Sequence, residues 1–540
     1  MRKLYSFDNI VIFFFICYFI IASIIYGDYS VTPDEELHRI NGFISLKYIL
    51  EIFSINLSNI YDFNNIPSLD TDWRKTYGVI FDLPFAVYEL LFSPNVQEIF
   101  LIRHYTTFII FFISCIYFYG LLKDIFKSNK LSLLGVIILI STPRIFSHSF
   151  YNAKDILFLS LMIISLYYSV KLLKNYNIKY IFLSAIFCAL ASNIRIIGIY
   201  LPILVFLFNL FSNQREFNKN IFKFFIKYFS IYFLTLYIIW PFLWSNPINN
   251  FFLILKESAS YPNWWNFKIL YLGDYLNPEN LPWHYFPIWF LSTTPTVFIL
   301  MIFVGLIIFQ KNYISYFLRI DLRKEIVLWK DQNEKINLFI FLTIFIPVFF
   351  IICLNSTLYN GWRHLFFIYP FLIFFSIYGL NKIKKKFNIV YFKVSIFFIF
   401  IQILSNINFI IKSHPVQNIY FNFISKPFIE KKLPIDYWGL GNKKTIDYLL
   451  SATNNLSISN ASFTPLYLIK YSKSQNSSYL ESITFNGTEL DKRINSDYIF
   501  TNYYYNENPI NIKKFKIPKN FNSYYKLIID DILVNEVFVK

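Results

Sequence analysis

Cysteine is scarce in this chain: Cys17, Cys115, Cys188 and Cys353 are the only four among 540 residues. Each lies inside an apolar run, so they read as small packing residues rather than as disulfide or metal partners. Histidine is nearly as rare, with six residues that are dispersed and show no short ligand spacing, so no zinc site is indicated. No residue pattern argues for a divalent metal or for any other cofactor. Neither a Walker loop nor a GxGxxG run occurs, and an inner nucleotide site therefore has no motif behind it. Charged residues make up 15% of the chain, against about 25% in ordinary soluble proteins. No internal repeat is visible. The N-terminal block has the basic start of a signal peptide, at Arg2 and Lys3, but its apolar core is too long and no small-residue cleavage site follows. It is expected to be an uncleaved first span.

What is abundant is apolar and aromatic. Hydrophobic residues are 56% of the chain and aromatics 22%, and the mean hydropathy is +0.45. They gather into blocks long enough for membrane helices, which need about 20 apolar residues each. About eleven spans are expected, near 9–27, 99–122, 131–142, 156–173, 179–192, 195–211, 226–244, 286–309, 337–354, 365–380 and 389–411. The block 79–93 contains Asp82, Pro84 and Glu89 and reads as a re-entrant or surface helix. The net charge of +17 comes from lysines clustered in short connectors, not from a basic face that would bind nucleic acid. Every second connector is basic. These connectors hold Lys123, Lys127 and Lys130; Lys171, Lys174 and Lys179; Arg215, Lys219, Lys223 and Lys227; Arg319, Arg323, Lys324 and Lys330; and Lys382, Lys384, Lys385 and Lys386. By the positive-inside rule the N-terminus is cytoplasmic and the chain after 411 is extracytoplasmic. The Ile, Asn, Lys, Phe and Tyr bias is that of an AT-rich genome and suits a bacterial inner membrane. The expected architecture is an all-α polytopic membrane bundle over 1–411, with a first outer loop at 28–98 carrying surface helices. A small extracytoplasmic α/β domain is expected over 412–540, with a helix at "KKTIDYLLSA" and strand-like runs at Tyr498–Asn502 and Lys526–Lys540.

With that topology almost every unusual polar residue falls on the outer side, where ionisable groups at membrane depth line functional cavities. "SVTPDEELHRINGF" follows the first span. Thr32, Pro33 and Glu35 form a capping box, which accounts for Glu35 but not for Asp34. Asp34 and His38 lie four residues apart on the polar side of an amphipathic helix whose apolar line is Leu37, Ile40, Ile44, Tyr48 and Ile52. "PRIFSHSFYNAKD" concentrates Arg144, His148, Asn152, Lys154 and Asp155 between two apolar walls. Arginine offers phosphate a planar fork and lysine a point charge. Lipid headgroups would also satisfy such a loop. Arg195 opens a span at its outer end, and "YNGWRH" places Arg363 and His364 outside, as either a snorkelling pair or a phosphate site. His284 sits among Trp283, Tyr285 and Trp289, in what reads as an aromatic belt.

The ordered set "PDEELH", "PRIFSHSFYNAKDILFL", "ASNIRIIGIYLP", "LPWHYFPIWFLSTTP" and "GWRHLFFIYP" resembles bacterial GT-C class membrane glycosyltransferases. The likeness is to the family 39 type, related to dolichyl-phosphate-mannose protein mannosyltransferases and aminoarabinose transferases. "LPIDYWGLGNKKTIDYLL" in the tail looks like the segment after the last span in some bacterial relatives. The resemblance implies transfer of a hexose from a polyprenyl-phosphate-linked donor to an acceptor hydroxyl on a lipid, glycan or protein. It makes Asp34 the general base, with Glu35 as supporting or alternative acid. Arg144, Lys154, Arg195 and Arg363 are then donor-phosphate candidates, supported by His38, His148, Asp155, His284 and His364. The rival readings are a lipid-linked glycan transporter or flippase, which predicts repeats and polar groups on both faces, and a polysaccharide polymerase or ligase.

Overall fold

The computed structural model describes residues 2–55, 62–212, 219–259, 267–317, 328–386, 388–429, 432–453, 455–473, 482–489, 493–509, 512 and 515–540. Of the cations expected to mark the inner connectors, Arg215, Arg319, Arg323 and Lys324 lie outside the described residues, as does the side chain of Lys219.

The long apolar blocks are all helical. Helix α1 (Arg2–Ile25) leads into a half-buried helix, α2 (Pro33–Ile52), and a short one, α3 (Asp82–Phe92). There follow α4 (Val96–Phe126), α5 (Asn129–Ile140), α6 (Pro143–Tyr151), α7 (Asp155–Lys174), α8 (Ile178–Ile194), α9 (Tyr200–Ser212) and α10 (Lys219–Ile239). After α11 (Pro247–Ala259) and a small hairpin, β1 (Ile269–Tyr271) and β2 (Asp274–Leu276), come α12 (Tyr285–Thr293), α13 (Thr296–Phe317), α14 (Gln332–Cys353), α15 (Tyr369–Lys386) and α16 (Ile389–Lys412). Among the described residues eight helices are long and apolar enough to cross a membrane, or nine if the α5–α6 pair, bent by 70°, is one broken span. The expected number was about eleven. The difference lies in length: α8 has 17 residues and α9 has 13, so at 1.5 Å per residue neither reaches across a core of about 30 Å. The block 286–309 is likewise divided at Thr294–Pro295, because proline cannot continue the ladder of α12. The 79–93 block gives the eleven-residue α3, packed on α2 and too short to span.

Helix α15 runs through the middle of the bundle, buried from Tyr369 to Leu380, whereas α16 leaves Phe397, Phe398, Phe400 and Leu404 exposed. A membrane protein without a water-driven force between its helices packs through close backbone approach. Gly305 of α13 and Gly379 of α15 supply it. A Cβ on Gly305 would stand 1.8 Å from the carbonyl oxygen of Phe375.

The two ends of the bundle differ in chemistry. At one, Lys123 lies 3.4 Å from Asp8, Asn129 Nδ2 donates to Asp8, Lys171 pairs with Asp124, and Lys335 Nζ reaches the Leu173 carbonyl. At the other, the chain after α16 forms a five-stranded sheet with order β4-β3-β5-β7-β6. Its strands are β3 (Leu456–Asn460), β4 (Ile483–Phe485), β5 (Tyr498–Thr501), β6 (Asn522–Ile529) and β7 (Ile532–Val539). Strand β3 is parallel to β4 and β5, and β7 is antiparallel to β5 and β6. Two further helices, α17 (Lys426–Ile429) and α18 (Leu440–Ala452), precede the sheet, and α18 buries Ile446 and Leu449 with Ile458 and Phe500. The tail is thus the small α/β unit expected, and its hairpin β6–β7 accounts for the run Lys526–Lys540.

Candidate active site

Helix α2 starts as its sequence dictates. Thr32 is extended, Pro33 opens the helix, and the Glu35 carboxylate reaches back to the Thr32 amide at 2.8 Å and its hydroxyl at 3.0 Å. Glu35 is buried, and its other oxygen stands 2.7 Å from His104 Nε2 of α4. One oxygen of Glu35 is therefore spent on the helix cap and the other lies against His104 of α4. Asp34 is different. Its side chain is 34% exposed; Oδ2 accepts from Arg363 Nη1 at 2.7 Å, and Oδ1 makes no hydrogen bond among the described residues. Glu36 points away, to the Tyr467 hydroxyl.

Arg363 arrives by a tight reversal. Asn360 and Gly361 both adopt left-handed backbone, with φ of 56° and 80°, which bends "YNGWRH" back toward the bundle. Its guanidinium lies between the rings of Tyr359, at 4.9 Å, and Trp438, at 4.8 Å. The same Nη1 is 3.3 Å from Asp155 Oδ2, and Asp155 Oδ1 pairs with Arg195 at the C-terminal end of α8. Asn152 completes the ring: its Nδ2 donates to Asp155 at 2.9 Å and lies 3.0 Å from His148 Nδ1. Asp155 is thus a buried hub and has no free oxygen for chemistry. The guanidinium Nε atoms of Arg195 and Arg363 are buried without a hydrogen-bond partner, so both arginines hold unspent donors.

Lys154 stands beside this ladder with its ammonium 3.4 Å from the centre of the Tyr77 ring and no ion-pair partner among the described residues. Burial pushes it down to about 7; Arg195 adds to the fall, while Asp155, Asp34 and Asp82 oppose it. Next to it a small cavity is lined by His38, Gly78, Phe81, Asp82, Ala153, Lys154 and Ile194. His38 Nδ1 is 3.8 Å from Asp82, which also pairs with Arg103. Burial lowers the His38 imidazole to about 3 even against the pull of Asp82, so it is neutral at physiological pH. The cluster sets three basic side chains, Lys154, Arg195 and Arg363, against the carboxylates of Asp34 and Asp155, so with Lys154 protonated it carries one net positive charge and attracts an anion.

Of the residues proposed from sequence, Asp34, Lys154, Asp155, Arg195 and Arg363 come together, with His38, His148 and His364 around them. Arg144 does not join. It is buried between Trp289 and Phe421 and donates its Nε to the Tyr420 carbonyl at 3.0 Å. His284 is held by the Tyr271 hydroxyl of the hairpin at 2.6 Å, away from the ladder. Helix α2 is more enclosed than an amphipathic surface helix would be, since its polar residues Asn41 and Ser45 are buried. Sequence reasoning missed the Asp82–Arg103 pair, Tyr77 and Tyr359. It noted Trp438 only within a tail segment of familiar look.

The family described as Dolichyl-phosphate-mannose-protein mannosyltransferase matches residues 90–244, a stretch that contains Lys154, Asp155 and Arg195. The match bears out the GT-C glycosyltransferase resemblance. Among solved structures the chain is similar to ArnT from Cupriavidus metallidurans bound to undecaprenyl phosphate, at 9% identity over 98% of this chain and 97% of that one, with a TM-score of 0.43. Apo ArnT from the same organism gives 9% identity, 98% of each chain and 0.44. No curated protein matches in sequence.

Proposed function

We propose that this integral membrane protein transfers a sugar from a polyprenyl-phosphate donor to an acceptor hydroxyl, with Asp34 as general base. The observation that carries the reading is the Asp34 carboxylate itself: one oxygen is fixed by Arg363, and the other makes no hydrogen bond among the described residues, in a side chain that is 34% exposed. Oδ1 takes the acceptor proton as the acceptor oxygen bonds to the anomeric carbon. The bond from that carbon to the phosphate oxygen breaks on the opposite face, so the anomeric configuration inverts. The leaving lipid phosphate gains one negative charge in that step. Lys154, Arg195 and Arg363 supply the compensating field in a site largely closed to water. Asp155 keeps both arginines in place and leaves the Nε of each without a hydrogen-bond partner among the described residues.

The donor class follows from delivery. The basic end of the bundle carries Lys123, Lys171 and Lys335, and by the positive-inside rule it faces the cytoplasm, which puts the ladder outside, where nucleotide sugars are absent. A lipid carrier brings its phosphate to that level from the bilayer. The experiment is transfer by the purified protein from a polyprenyl-phosphate sugar against a nucleotide sugar. Turnover from the lipid donor, lost in Asp34→Asn, supports the reading; efficient use of a nucleotide sugar without a lipid intermediate refutes it.

A further inference from the structure

Two segments of the C-terminal α/β unit reach the Asp34–Arg363 pair, one at Arg363 itself and the other at the residues flanking Asp34. The first is the turn at 436–438. Asp436 is buried and accepts from the Leu440 and Gly441 amides at 3.1 and 2.7 Å and from Asn418 Nδ2 at 3.0 Å, while its own carbonyl accepts from Asn502. This fixed turn lays the Trp438 ring against the Arg363 guanidinium and in edge-to-face contact with the rings of His148 and Tyr151. Close by, the Tyr504 hydroxyl donates to Asn360 Oδ1 at 3.0 Å, bracing the turn that delivers Arg363.

The second segment, 467–472, grips the chain around Asp34. Ser472 Oγ accepts from the Val31 amide at 3.0 Å and lies 3.1 Å from Ser30 Oγ; the Tyr467 hydroxyl donates to Glu36 at 2.7 Å. The Tyr471 ring stacks on Phe100 of α4. These contacts fall on both chain sides of Asp34. A unit that served only as a cover or tether would have no need to hold the chain on both sides of Asp34 and the guanidinium of Arg363 at separate points.

We propose that the C-terminal unit is a clamp on the Asp34–Arg363 pair, with Trp438 positioning the guanidinium and Ser472 positioning the extended segment that enters α2. The inference rests on the reading of Asp34 as base and Arg363 as a phosphate ligand. The ring face of Trp438 holds the guanidinium plane, so that its spare donors stay aimed at the donor phosphate.

The test uses the full-length purified protein and undecaprenyl phosphate as probe, with dissociation constant and stoichiometry fitted separately and turnover expressed per binding site. Trp438→Leu is expected to weaken binding about fivefold or more at unchanged stoichiometry, and Trp438→Phe, which keeps a ring face, to stay within about twofold. Ser472→Val should keep the wild-type dissociation constant and lose about tenfold in turnover per site, as a displaced base does. A purely structural role would lower stoichiometry and leave the constant alone. That result, or wild-type behaviour of both Trp438→Leu and Ser472→Val, overturns the clamp. If Trp438→Leu is not recovered folded, Ser472→Val decides alone. Asp34→Asn is run beside them: if it turns over normally the base assignment fails, whereas an inactive Asp34→Asn with normal clamp variants fails the clamp only.

Discussion

Lys154 sets a test at the scale of one residue. Its ammonium is pushed down to about 7, so in the free protein it is charged below that pH and neutral above it. Donor capture, read as kcat/KM for the lipid substrate, should therefore fall as pH rises through about 7. Lys154→Arg keeps its charge throughout and should hold the plateau to higher pH; an unchanged alkaline limb in that variant would remove Lys154 from donor binding. Asp34→Asn keeps the helix start and removes the base, and turnover should drop by about 10²-fold or more. Glu35→Gln still caps Thr32 and should cost far less activity, with a lowered melting temperature from its weakened grip on His104. The distinction between these two acids was half legible in the sequence. The capping box explained Glu35 and left Asp34 without a structural job, but the exposure of one and the enclosure of the other required α4. Asp82 and Arg103 were illegible as a pair, because their meeting depends on how α3 leans on α4 and no spacing encodes that.

At the scale of elements, the α13–α15 contact predicts an asymmetry between glycines. A Cβ at Gly305 meets the backbone of Phe375, which cannot yield, whereas one at Gly135 meets the end of the Leu122 side chain at 2.4 Å, which can rotate. Gly305→Ala should lose about 1–3 kcal/mol or more of stability and Gly135→Ala clearly less, measured as thermal unfolding in detergent. Comparable losses would mean that α13 and α15 are less closely engaged than the structure has them. Sidedness can be tested with single cysteines in a cysteine-free background. Exposed Asn280 and Ser451 should label from outside sealed cells, and exposed Asn175 and Asn388, beside the basic connectors, should not. The reverse pattern would place the ladder in the cytoplasm. Hydropathy located the long apolar helices, yet it overstated how many cross the bilayer, since α8 and α9 are as apolar as true spans but have only 17 and 13 residues.

At the scale of the whole molecule, the site is built from distant parts of the chain: Asp34 and Arg363 are separated by 329 residues. A ligand that binds only this assembled form stabilises it by mass action. Undecaprenyl phosphate should therefore raise the melting temperature in the wild type, and the rise should shrink in Arg195→Gln and Arg363→Gln; equal rises in all three would point to nonspecific lipid binding. The same separation has a consequence in time. At roughly 5–20 residues per second of synthesis, Asp34 leaves the ribosome some 15–65 s before Arg363 does. Trp438 and Ser472 follow later still. Through that interval the first loop waits with a carboxylate that has no Arg363, and Asp155 has Asn152 and Arg195 alone. On the proposed function, a newborn chain is therefore expected to be inert toward a lipid donor until Arg363, Trp438 and Ser472 are in place, and a message truncated before codon 363 should yield a protein that holds Asp34 without its arginine.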